Sequence, residues 1–339
     1  MAKILVTGGA GFIGHHFIDH VLRNTDWKVV CLDRLDPAGD MNRLASIGSL
    51  PEEGRRLAVC FHDLRSEVNS EVAKSVLSGR GAFDPGPFDH VVHMAAGSHV
   101  DRSVQDPVGF VLDNVLGTAN LLDLFRKTNS LRHGGKILYF STDEVFGPAP
   151  VGMEFDEWAR FNPNNPYSAS KAGGEALCTA YANTYGLPIV VTHATNVFGE
   201  GQHPEKFIPL VIGKVRRGEI VQIHSDPSRT KSSSRYYVYV DNVSSAVLHI
   251  LRTGSCLDGG DTAGKYNISG EDEVSNLDLA RIIARLIGKD LKHEMVDHCP
   301  SRPKHDMRYA VSGRALRALG WTPTVSFEDG IRRVVQSCL

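Results

Sequence analysis

The sequence predicts an α/β protein: a doubly wound parallel sheet with a smaller, interleaved C-terminal α/β lobe for the substrate. Two observations predict it. In the first half of the chain, short runs rich in β-branched residues alternate with stretches able to form helices. These runs are continuously apolar, as strands buried on both faces of a parallel sheet must be. Beyond about residue 194 the texture changes to long polar stretches such as "NVFGEGQHPEKF" and "IHSDPSRTKSSSR", with helical patterns between them.

In chain order the expected strands are "KILVTG", "KVVCLD", "RLAVCFH", "DHVVHMA", "KILYFST" and "PIVVTHA". Two long helices, "DPVGFVLDNVLGTANLLDLFRK" and "YSASKAGGEALCTAYANTYG", flank the fifth strand and are apolar over wide faces. "FIPLVIGKVRRG", "NLDLARIIARLIG" and "SGRALRALGW" read as helices of the second lobe. The division is therefore a core over residues 1–194 and a substrate lobe over 195–339, with later segments such as 235–250 returning to the core.

A length of 339 residues suits this two-part arrangement. Net charge is −2 and no basic run is long enough for a nucleic-acid surface, so a small-molecule partner is expected. The N-terminus lacks the apolar h-region of a signal peptide, and no uninterrupted apolar run of membrane-spanning length is found, so no membrane partner is expected. Six scattered cysteines without a CxxC pair read as reduced thiols in a cytoplasmic protein. The 15 histidines, including His15, His16 and "HEMVDHC", match no common zinc spacing, so no metal is expected.

"VTGGAGFIG" sets Gly8, Gly11 and Gly14 between strand and helix signals, with Phe12 and Ile13 inside the turn. Glycines there allow a tight turn and let a pyrophosphate approach the free N–H groups of the helix start. Asp33 ends the second strand, roughly 20 residues on, where a carboxylate accepts both ribose hydroxyls and repels a 2′-phosphate. That favours NAD over NADP, although Arg34 stands beside it. Asp63 and Leu64, after "AVCFH", and Ala95, after "VVHM", are expected at the same cofactor; Asp63 reads equally well as a solvated helix cap.

"NPYSASKAGGEAL" places Tyr167 and Lys171 one turn apart on a single helix face. A phenol titrates near ~10 and is a poor base at neutral pH. A neighbouring ammonium, together with the positive charge of a nicotinamide, is expected to favour the phenolate and lower that value. "STDEVFG" adds Thr142, Asp143 and Glu144 at the end of the fifth strand. Two adjacent acids in one cleft divide into acid and base, because repulsion and desolvation raise one pKa.

With "HMAAGSHVDRS" and "PYSASK", these motifs make the chain resemble the extended short-chain dehydrogenase/reductase family. Within it the chain is similar to the nucleotide-sugar 4,6-dehydratases of the dTDP-glucose type, over essentially its whole length. The resemblance implies NAD as cofactor, a nucleotide sugar as substrate and a homodimer built on the two long helices. It implies that Tyr167, assisted by Lys171, takes the C4 hydroxyl proton while NAD+ takes the hydride. Glu144 then removes the C5 proton, Asp143 protonates the departing C6 hydroxyl, and Thr142 holds the C4 oxygen. For the substrate it implies Ser98, His99, Arg102, Asn196, Lys206, Arg235 and His305. The chain departs from the pattern at Gly97, where a glutamate is usual, and at Phe146, where a tyrosine is usual. An NDP-sugar 4-epimerase and a non-catalytic NAD(H)-binding regulator share the fold. Asp143 and Glu144 argue against the first, and the intact Tyr167 and Lys171 against the second.

Overall fold

The computed structural model describes residues 1–36, 38–48, 54–260, 263–297 and 307–339. The first 194 residues supply β1 (Lys3–Thr7), β2 (Lys28–Asp33), β3 (Leu57–Phe61), β4 (Phe88–His93), β5 (Leu131–Thr142) and β6 (Ile189–Ala194). These are the six strands expected from the apolar runs. Three lobe strands follow, β7 (Asn196–Phe198), β8 (Val221–His224) and β9 (Ser234–Tyr239), then β10 (Lys265–Ile268), β11 (Glu273–Ser275) and β12 (His293–Val296). The main sheet has seven strands in the order β10-β6-β5-β4-β1-β2-β3, and every pairing in it is parallel.

Side chains alternate across this sheet with the period of two that a pleated strand imposes. Ile4, Val6, Val29, Cys31 and Leu138 enter one core, whereas Leu5, Val30, Leu32, Ile137 and Tyr139 enter the other. The first core is closed by α1 (Phe12–Asn24), through Phe17, Ile18 and Val21. Helix α2 (Met41–Gly48) adds Leu44 and Ile47 to the first core, α3 (Ser70–Leu77) adds Ala73 and Val76 to the second, and α4 (Val100–Gln105) precedes the next helix. The second core is closed by a continuous helix, Pro107–Thr128, made of α5 (Pro107–Val111), one π-helical turn (Leu112–Leu116) and α6 (Gly117–Thr128). Beside it runs α7 (Pro166–Tyr185). Leu121, Leu122, Phe125 and Cys178 are the contacts these two helices bury.

The second lobe has its own core. Phe198 of β7 meets Ile208, Val211 and Ile212 of α8 (Phe207–Arg217). After α9 (Val240–Thr253), the same core takes Leu279 and Ile283 from α10 (Asn276–Ile287). A short α11 (Arg314–Ala318) precedes α12 (Phe327–Ser337), which adds Ile331, Val334 and Val335.

Segment 235–250 does send side chains to the main core, Val238 from β9 and several from α9. By backbone pairing β9 belongs to a separate sheet with β7 and β11, while helix α9 lays Val243, Val247 and Ile250 in the core shared with α1. The seventh main-sheet strand is β10, which covers the β6 edge that would otherwise expose unpaired backbone. Helix Pro107–Thr128 also amends the expectation about spans: by length and composition alone it is apolar enough to cross a membrane, as core helices can be. Its apolar character has two faces, one in the second core and one exposed at Val108, Val111, Leu112 and Leu116.

Beneath α7 lies a buried polar cluster. His193 Nε2 is 3.0 Å from Glu175 Oε2 and His193 Nδ1 is 2.9 Å from Asn267 Oδ1. Lys265 donates to Glu175 Oε1 at 3.0 Å. Burial alone pushes Glu175 upward, but His193 and Lys265 together hold it down at about 2. Cys31, Cys60, Cys178, Cys256 and Cys338 are free thiols, the first three buried; Cys299 lies outside the described residues.

Candidate active site

The turn between β1 and α1 is shaped by what it excludes. Gly8 has φ +70°, and a Cβ there would come 2.6 Å from the Ala95 backbone nitrogen. At Gly14 a Cβ would lie 2.2 Å from the Gly8 carbonyl oxygen. Only glycine lets strand and helix approach so closely, and Gly11, the N-cap of α1, makes no side-chain cap, leaving the helix N–H groups to an anion. Asp33 is buried at the end of β2; its Oδ2 accepts from Ala10 N at 2.9 Å and its Oδ1 from Leu35 N at 2.8 Å. This ties the carboxylate to the glycine turn in the place that suits a ribose. The donors and the close approach fit a dinucleotide.

From this turn a cavity of about 850 Å³ runs between core and lobe. Every described residue singled out above for cofactor, substrate or catalysis lines it. The exception is His305, which lies outside the described residues. Asp63 is not a helix cap: it accepts from Arg65 N at 2.9 Å in a tight turn, with its side chain in the cavity wall. His99 caps α4, accepting from Arg102 N, and both His99 and Arg102 reach Glu205 across the lobe boundary at 3.2 and 3.0 Å. Lys206 donates to the Ser98 carbonyl at 3.3 Å. Arg235 is buried, stacks over Tyr309 at 4.7 Å and donates to the Ser234 and Met307 carbonyls.

At the centre, β5 ends in Thr142 and turns at once into a short 3-10 helix, Asp143–Phe146. The Thr142 hydroxyl donates to Asp143 Oδ1 at 3.2 Å and accepts from Glu144 N at 3.3 Å, so one side chain sets both acids. Asp143 is 4% exposed and its Oδ2 has no hydrogen-bond partner among the described residues. Burial, and then the Glu144 charge, push its carboxyl up to about 7, against the opposing pull of Arg235. A proton on Asp143 therefore survives to near neutral pH.

Sequence reasoning missed Asn165. It caps α7 in a capping box with Ser168, and its Nδ2 donates to Glu144 Oε2 at 3.0 Å. The helix that carries Tyr167 and Lys171 is thus fastened to the acid pair through its own cap. The signal was present, since Asn before Pro, with Ser three residues on, is an N-cap pattern. Of the two charges expected to lower the Tyr167 pKa, Lys171 contributes nothing resolved. Burial and the Glu144 charge raise the phenol, with its hydrogen-bond partner Thr142 pulling the other way. Lys171 Nζ donates to the Phe140 carbonyl at 2.7 Å and sits over the Tyr139 ring at 4.1 Å. Burial lowers its own pKa to about 8. Gly97 is likewise not an empty place: a Cβ there would meet the Phe110 ring at 3.1 Å and Asp113 Oδ2 at 3.2 Å. Phe146, in the tyrosine position, packs among Phe155, Phe161 and His193.

Comparison with known proteins agrees with this geometry. The family model described as GDP-mannose 4,6 dehydratase matches residues 5–334. The dTDP-glucose 4,6-dehydratase of Salmonella typhimurium is 35% identical over 98% of this chain and 92% of its own length. Among solved structures, dTDP-glucose 4,6-dehydratase from Streptomyces venezuelae, crystallised with NAD, superposes with a TM-score of 0.82 at 34% identity, covering 99% of this chain and 96% of its own. A UDP-glucose 4-epimerase from Thermus thermophilus, also with NAD, reaches the same TM-score of 0.82 at 28% identity over 99% of this chain and 98% of its own. Fold alone therefore does not separate lyase from isomerase, whereas the whole-length sequence matches do. The chain belongs to the NAD-dependent nucleotide-sugar 4,6-dehydratases, hydro-lyases on a Rossmann-type sheet.

Proposed function

We propose that this protein dehydrates dTDP-glucose to the 4-keto-6-deoxy sugar nucleotide. One observation carries the reading: Asp143 and Glu144, adjacent acids in unlike surroundings, share the cavity wall with Tyr167. A 4-epimerisation requires no such pair. The glycine turn and Asp33 would hold NAD, which when bound would supply the redox chemistry, a hydride taken from C4 and given back at C6. Tyr167 takes the C4 hydroxyl proton as that carbon becomes a ketone, and Thr142 holds the oxygen in register. The Lys171 ammonium, present below about pH 8 and held by the Phe140 carbonyl, is the cation one turn along the same helix.

The ketone acidifies the C5 hydrogen, and Glu144, oriented by Asn165, removes it. The electron pair becomes a C5–C6 double bond as the C6–O bond breaks. Asp143 gives its proton to the departing hydroxyl, which leaves as water, and Glu144 reprotonates C5. In this reading Arg235 and Asn196 receive the diphosphate, and Ser98, His99, Arg102 and Lys206 surround the sugar, with His305 assigned from the motif alone. The free thiols suit a reducing cytoplasm.

The test is mass spectrometry of the purified protein with a panel of nucleotide hexoses and no added reductant. Loss of one water from dTDP-glucose, faster than from the UDP, GDP or CDP sugars, is expected. Unchanged mass with inverted C4 would move the reading to an epimerase. We also propose a homodimer through the exposed stripe Val108, Val111, Leu112 and Leu116, which recurs at helical spacing on Pro107–Thr128. Val108→Glu is expected to convert the dimer to monomer in sedimentation equilibrium; a wild-type monomer would overturn the proposal.

A further inference from the structure

Arg34, beside the ribose-binding Asp33, is held by an acid from far along the chain. Its Nη1 and Nη2 donate to Asp113 Oδ1 and Oδ2 at 2.5 and 2.9 Å, a bidentate pair across 79 residues of sequence. Its Nη2 also donates to Asp36 Oδ2 at 2.8 Å, and Asp63 Oδ1 is 3.6 Å from its Nη1. Asp113 comes from the π-helical turn of Pro107–Thr128, and its side chain is 13% exposed. All four residues line the cofactor end of the cavity. Gly97 makes room for this arrangement, since any side chain there would press on Asp113 Oδ2.

An arginine directly after the ribose carboxylate is the group that accommodates the 2′-phosphate of NADP. Here it has no freedom to do so. The phosphate would approach Asp33, Asp36, Asp63 and Asp113, four carboxylates, against Arg34, Arg43 and Arg65, three guanidiniums, of which Arg65 is already bonded to Asp63 and Arg43 to the Ala10, Ala38 and Gly201 carbonyls. Turning Arg34 toward the phosphate would also break a bidentate pair and leave Asp113, mostly shielded from water, with Arg65 Nε at 3.8 Å as its one remaining cation among the described residues. Stranding a desolvated charge costs more than an ordinary hydrogen bond.

We propose that Asp113 is a specificity-determining residue for the cofactor: by holding Arg34 it denies the enzyme NADP, in addition to the repulsion supplied by Asp33. It acts through Arg34 and is therefore a positioning residue.

The test equilibrates the purified protein with equal excesses of NAD+ and NADP+, removes free cofactor and quantifies what stays bound by mass spectrometry. In an Asp33→Ser background, where direct repulsion is gone, Asp113→Asn is expected to raise the bound NADP:NAD ratio by about tenfold or more, as a released charged hydrogen-bond donor allows. Adding Arg34→Ala should erase that gain, and Asp113→Glu, which keeps the pair, should hold the ratio near the parent value. Asp113→Thr, also neutral and polar, repeats the measurement if Asp113→Asn does not fold, as read from thermal melts. A ratio unchanged by Asp113→Asn, with both cofactors weakened together, would mean a merely structural strap and overturn the proposal. So would the same gain with Arg34 absent, because Asp113 would then act by its own charge.

Discussion

Tyr167→Phe is expected to lower kcat by about 10³-fold, the scale of a lost general acid–base group, with KM nearly unchanged. The split follows from what the substitution leaves in place. The ring keeps its edge-to-face contact with Phe110, centroids 6.4 Å apart, and α7 keeps its Asn165 cap, so the cavity wall does not move. Only the oxygen that receives the C4 proton is gone, and every later step depends on the ketone. Exchange of solvent deuterium into C5 should therefore stop as well, because that hydrogen is acidic only beside a carbonyl. Mass spectrometry in D2O reads both quantities. Continued exchange in Tyr167→Phe would mean that another group performs the oxidation step, and the assignment of Tyr167 would fall.

Asp143→Asn should separate two steps that Tyr167→Phe stops together. Without a proton donor for the C6 hydroxyl, water loss is expected to slow by ~10²–10⁴-fold, while Glu144 still exchanges the C5 hydrogen. The same substitution should stabilise the fold at neutral pH. The folded Asp143 titrates at about 7 rather than at its ordinary 3.8. Between those values the folded state binds more protons than the unfolded one, so stability falls as pH rises through that window. Above it, the buried charge costs ~4 kcal/mol that asparagine avoids. Thermal melts should show Asn ahead of wild type at about pH 8, with little difference near about pH 4. Equal melting at the higher pH would mean that Asp143 is not held protonated by its surroundings.

How much of this was legible in the sequence differs from element to element. The six strands of the first half were readable because two-sided burial forces uninterrupted apolar runs. Strand β10 was not, because "KYNI" is short and its Lys265 and Asn267 serve the polar cluster under α7 instead of an apolar core. Spacing placed Tyr167 and Lys171 on one face, but spacing does not say where an ammonium points, and Lys171 is spent on the Phe140 carbonyl. Gly97 was noticed only as a missing carboxylate. That Asp113 stands against the same spot depends on a helix meeting a strand end, which no local pattern encodes. Asn165 is the opposite case, since its capping role was written in "NPYS" and its bond to Glu144 follows from the cap's position.

The cluster of Glu175, His193, Lys265 and Asn267 bears on how the polypeptide emerges from the ribosome. By residue 194 every acid and base assigned to the reaction has been synthesised, together with Glu175 and His193. The partners of that pair are not yet made: Lys265 and Asn267 arrive about 70 residues later, after all of α9. Until then a carboxylate destined for full burial lacks its ammonium, and burying it so would cost several kcal/mol. The polar seat of α7 is therefore completed only when β10 takes its place at the sheet edge.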